Sequence, residues 1–86
     1  MQRWEYRSAV LVGVPKNLTK NKGWRVREID EQELPDWKKS ALHSSVLAFC
    51  NQMGQQGWEL ISLNDARDIA LYFKRPPMDE TVYDGQ

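Results

Sequence analysis

A helical pattern that ends at Gly57 and runs directly into Trp58-Glu59-Leu60-Ile61-Ser62 constrains this chain more than any other stretch. Leu42, Val46, Phe49, Cys50 and Met53 recur at three- and four-residue intervals, the spacing of one apolar helix face. Trp37 and Ala41 extend that stripe one turn earlier, and Asp36 is the expected cap at its start. Gln55 and Gln56 finish the helix, and Gly57 stands where a left-handed cap belongs. Trp58 to Leu63 then reads as a strand that buries a tryptophan. No nucleophile, metal cluster or phosphate loop accompanies it.

Two strands are expected before the helix. Residues 2–12 alternate, with Trp4, Tyr6, Ser8, Val10 and Val12 on one side and Arg3, Glu5, Arg7, Ala9 and Leu11 on the other. Gly13-Val14-Pro15 stops that strand, and residues 16–23 form a polar loop. Trp24 to Ile29 alternate again, so the two runs predict a long-looped hairpin. The acidic run to Leu34-Pro35 reads as a linker. After the helix, Asn64 to Asp68 form a turn and Ile69 to Arg75 a last strand, ended by Pro76-Pro77. The strand–strand–helix–strand–strand order predicts an α+β fold: a four-stranded, mostly antiparallel sheet with one helix packed across one face.

Residues 1–76 are expected to form a single domain, and residues 77–86 a mobile acidic tail. A chain of 86 residues buries only about 60% of its unfolded surface, so its core is thin. Disulfides cannot reinforce it, because Cys50 is the only cysteine; a buried, unreactive thiol is the expectation there. Oligomerisation is the remaining route to a larger core, and four tryptophans fit it. The opening Met1-Gln2-Arg3-Trp4-Glu5 carries no signal-peptide pattern, and no apolar run reaches membrane-spanning length. These features, with one cysteine, place the expected location in the cytoplasm.

The formal charge is zero but unevenly spread. Residues 1–27 hold seven basic side chains against the single acid Glu5, and residues 28–37 hold five acids. Two readings follow: the blocks face each other or meet across an oligomer contact, or the basic block binds nucleic acid. A neutral chain lacks the cationic excess of non-specific phosphate binders, which favours the first.

Trp4-Glu5-Tyr6-Arg7 at the start, the helix leading into Gly57-Trp58-Glu59-Leu60-Ile61-Ser62, and Tyr72-Phe73-Lys74-Arg75-Pro76 at the close form a recognisable set. In these motifs the chain resembles a family of small bacterial proteins, domain of unknown function family 4177. It differs in a long insertion between Val12 and Gln32. The resemblance implies a fold and no catalytic residues, since the family has no established activity.

Candidate chemistry is sparse. His43, the only histidine, is expected on the helix surface with Ser40, Ser44 and Ser45, without the third group or oxyanion site that a nucleophilic centre needs. Asp65 and Asp68 flank a turn, where aspartates serve local hydrogen bonding. No catalytic residue, metal site or cofactor is therefore expected.

The sheet face opposite the helix holds more promise. Alternation assigns it Glu59, Ile61, Leu63, Ala70, Tyr72 and Lys74, with Arg3, Arg7, Ala9, Leu11, Arg25, Arg27 and Ile29 from the hairpin. Trp4, Tyr6, Val10, Val12, Trp24, Val26, Trp58, Leu60, Ile69, Leu71 and Phe73 are assigned to the helix side. The outer mixture of aliphatics, arginines, a tyrosine and a carboxylate has the composition of an interface. Arg3, Arg7, Arg25, Arg27, Glu59, Ile61 and Tyr72 are thus the expected binding residues. The expected function is a non-enzymatic homo-oligomeric interaction module, most simply a dimer, possible protein partners included. The alternative is nucleic-acid binding by the basic hairpin, with Tyr72 stacking.

Overall fold

The computed structural model describes residues 3–14, 23–65 and 67–77. Strand β1 (Glu5–Val14) pairs with β2 (Gly23–Ile29), and a two-residue strand β3 (Gln32–Glu33) extends the sheet beyond β2. A 3-10 turn (Trp37–Lys39) leads to helix α1 (Val46–Gln55), followed by β4 (Glu59–Asn64) and β5 (Ile69–Arg75). Every pairing is antiparallel, and the order is β3-β2-β1-β5-β4. The α+β class with one helix on an antiparallel sheet holds; among the described residues the sheet has five strands rather than four. The additional strand lies in the acidic run expected to be a linker. The proposed tail from Met78 onward and the basic loop residues Lys16, Lys20 and Lys22 lie outside the described residues.

The helix is shorter than its apolar stripe predicts. Ser45, not Asp36, caps it, accepting a hydrogen bond from the Ala48 amide at 3.0 Å. The preceding segment makes a different bond: His43 and Trp24 exchange backbone hydrogen bonds, each of 2.8 Å. That bridge holds the backbone extended where the stripe suggested a helix, so Trp37 and Ala41 never join the helical face. At the other end the expectation is met. The Gly57 amide donates to Gly54 O and the Trp58 amide to Met53 O, at 2.9 and 3.1 Å, with Gly57 at φ 90°. This is the glycine-terminated double turn that satisfies the last helical carbonyls. It sets Trp58 against Met53 in the core.

Ala9, Leu11, Phe49, Met53, Trp58, Leu71 and Phe73 form that core between helix and sheet. The register shows which phase of β1 faces it. Ala9 lies opposite Leu71 and Leu11 opposite Ile69, and opposed residues share a face. Hence Arg7, Ala9 and Leu11 face the helix, while Tyr6, Val10 and Val12 face outward, the reverse of the expected assignment. The period was correct and the phase was not, because both phases of β1 carry apolar residues.

Two bulges add to the shift. Arg27 is the extra residue between the pairs Val26–Leu11 and Glu28–Val10, which returns Ile29 to the helix side. Ile61 is the extra residue between the pairs Leu60–Phe73 and Ser62–Tyr72, so Leu63 falls on the helix side with Leu60.

The β2–β3 turn is a two-residue hairpin loop in which Asp30 and Glu31 both have positive φ, 53° and 69°. That backbone favours an Asp-Gly pair. Glu31→Gly is therefore expected to stabilise the fold by about 0.5–1 kcal/mol, after the extra entropy of an unfolded glycine is counted. Urea unfolding followed by circular dichroism checks this; a lower midpoint would contradict the turn geometry. Among the described residues no helix is long and apolar enough to cross a membrane.

Candidate binding surface

The outer sheet face is organised in rows across the strands. Ser62, Tyr72 and Ser8 form one row, and Glu59, Lys74 and Tyr6 the next. Asp30 closes the first row where β2 ends. Its amide donates to Ser8 O at 2.9 Å, and its carboxylate accepts from the Ser8 amide at 3.1 Å. Tyr6, Arg7, Ser8, Asp30, Glu31, Ile61, Ser62, Tyr72 and Phe73 line an open recess of about 510 Å³, within the volume range of small-ligand sites. The small side chains of Ser8 and Ser62, on either side of Tyr72, leave room for it.

The seven expected binding residues are not brought together. Arg25 pairs opposite Val12 on the outer face, and Arg27 reaches the same side through its bulge. There Arg27 binds Asp68 at 2.8 Å and Glu28 at 3.1 Å, so its charge is matched locally. Arg7 instead turns to the helix side, its guanidinium 5.2 Å from the Trp58 ring and 3.4 Å from the Asp30 carboxylate. Arg3 precedes β1. The expected alignment of Arg7 beside Arg25 and Arg27 is therefore corrected: Arg7, opposite Phe73, takes the helix-side phase of β1. Glu59, Ile61 and Tyr72 do share the outer face, with Ile61 and Tyr72 lining the cavity.

Tyr6, Asp30 and Glu31 were missed as site residues. Alternation assigns Tyr6 to the helix side, and the two acids read as part of a linker. Asp30-Glu31, the two residues between β2 and β3, carry a turn signal only in Asp30, which tolerates positive φ.

The two sheet edges differ sharply. β3 is two residues long and polar. β4 has six residues, all exposed, with Leu60 at 40%, Ile61 at 47% and Leu63 at 46%. It presents apolar side chains on both faces, and among the described residues no further strand flanks its outer side.

Other candidates resolve structurally. His43 is half-buried with its ring edge-on to Phe49 at 5.2 Å, in the extended segment rather than on the helix surface. Ser40 donates its hydroxyl to Trp37 O at 2.8 Å, and Ser45 is the helix cap; the expected helical cluster of serines around the histidine does not exist. Burial pushes the Cys50 thiol above its usual range, which suppresses the thiolate. Among the described residues, no three His, Cys, Asp or Glu side chains are grouped to share a metal ion. No family model, curated protein or solved structure matches this chain.

Proposed function

We infer that the protein is a non-enzymatic interaction module that self-associates through β4 into a homodimer, joining two sheets edge to edge. The observation that carries this reading is β4 itself: a six-residue edge strand on which Leu60, Ile61 and Leu63 are each 40–47% exposed. Open edges of this kind are normally shortened, charged or covered. The opposite edge shows that treatment, ending in the short β3 with Glu33 and the following Leu34-Pro35. At β4 only Glu59 is charged. Antiparallel pairing about a two-fold axis would satisfy both backbone edges and cover the same leucines on each copy.

Sedimentation velocity at tens of micromolar tests this. The wild-type chain is expected to run as a dimer, and Leu63→Lys as a folded monomer. A wild-type monomer, or a dimer indifferent to Leu63→Lys, would remove the proposal.

Nucleic-acid binding by the basic hairpin draws less support. Arg7 and Arg27 are ion-paired on opposite faces, and Arg75 is paired with Glu5 at 3.0 Å. Arginines already matched by carboxylates offer phosphate little unbalanced charge. A salt-sensitive electrophoretic shift of a single-stranded oligonucleotide would reverse that preference.

A further inference from the structure

Tyr6 and Tyr72 are exposed to 67% and 44%. They stand on the same outer face and on neighbouring strands, offset by one row, and both line the 510 Å³ cavity. Ile61, displaced outward by its bulge, forms an apolar part of the wall. Asp30 and Glu31 add carboxylates at the β2–β3 turn.

The charges there do not cancel. Asp30 is satisfied, one oxygen by the Ser8 amide and the other by Arg7. Glu31 has no hydrogen bond or ion pair among the described residues. Lys74, the nearest lysine in the rows, extends its ammonium over the Trp4 ring at 4.2 Å and does not line the cavity. The result is a recess with one surplus negative charge, two aromatic rings with electron-rich faces, and one aliphatic wall. Glu31 also holds its position in a backbone conformation that glycine would adopt with less strain.

We propose that this cavity binds a small organic ammonium ion, its charge against Glu31 and its apolar body between Tyr6, Tyr72 and Ile61. Aromatic faces and a carboxylate both favour a cation, and the tyrosines and Ile61 favour one with an apolar body. A neutral ligand of the same shape would forgo the charge, and an anionic one would oppose it. This inference does not depend on dimerisation.

The test uses phenethylammonium, with 2-phenylethanol and 3-phenylpropionate as neutral and anionic counterparts, titrated into the intact chain. Amide shifts in nitrogen–proton correlation spectra report binding. Phenethylammonium should give saturable shifts centred on Ser8, Ser62 and Tyr72, with affinity at least about fivefold above either counterpart. Glu31→Gly should raise the unfolding temperature yet weaken binding by about fivefold, which separates loss of the carboxylate from loss of the fold. Tyr72→Leu should weaken binding similarly. Leu63→Lys should bind as the wild type does, even as a monomer, so failure of the dimer and failure of this site are distinguishable. Equal binding of the alcohol, unchanged affinity in Glu31→Gly, shifts centred elsewhere, or no saturation would each overturn the proposal.

Discussion

Trp58→Ala is expected to remove about 3–5 kcal/mol of folding free energy, on the order of half of what a domain this small possesses. The indole is 6% exposed and belongs to the core cluster. It is also the centre of a chain of polar contacts. The Arg7 guanidinium lies 5.2 Å from its ring and that of Arg75 4.1 Å. Asp30 holds Arg7, and Glu5 holds Arg75 at 3.0 Å. Arg75 further donates to Gln56 O at 2.8 Å, satisfying a carbonyl at the negative end of the helix. Alanine would leave a cavity and remove the surface on which both cations rest. The indole Nε1–H is buried without a partner among the described residues, so Trp58→Phe gives up volume but also removes an unpaired donor. Its cost should stay below about 2 kcal/mol. Urea denaturation of both variants measures the difference, and a loss under about 1 kcal/mol for alanine would contradict the burial of Trp58.

Phe73→Ala comes second, with an expected loss of about 3–4 kcal/mol. Phe73 is 1% exposed and meets Phe49 edge to face at a centroid distance of 6.2 Å, the ring contact that joins sheet to helix. Tyr72, its neighbour on the same strand, points to the other face and is half-exposed. Tyr72→Ala should therefore cost under about 1 kcal/mol. The pair tests the orientation of β5 directly: similar losses at the two positions would mean that the strand is inverted.

The ease of reading β5 and the helix end from sequence has a local cause. Gly57, Trp58 and the alternation of Leu71, Tyr72 and Phe73 are each decided by neighbours close in sequence. The phase of β1 is not. Val10 and Val12 are as strand-like as Ala9 and Leu11, and only the distant Leu71 and Phe73 decide which pair goes inside. Arg7 on the inner side is tolerable because Trp58 and Asp30, 51 and 23 positions away, receive it. The bulges at Arg27 and Ile61 lack a glycine to announce them. Within 36–45, Asp36 and the apolar spacing favoured a helix, while a backbone bridge from His43 to Trp24 overrode both. The outer surface was legible at Glu59, Ile61 and Tyr72, whose phase the last hairpin fixes. It was illegible at Tyr6, Asp30 and Glu31, which depend on β1 and on a turn hidden in charged residues.

The sheet order has a temporal meaning. β1 and β5 are neighbours in the middle of the sheet, yet Glu5 and Arg75 are 70 positions apart. Closing so long a loop must precede most of the contacts that repay it, which slows folding relative to a helical chain of equal length. A nascent chain can form the β1–β2 hairpin early, but Ala9 and Leu11 then lack their partners Leu71 and Ile69 until β5 has been made. During synthesis the chain must carry an uncovered apolar hairpin almost to its last strand, and that interval is when it is most exposed to aggregation.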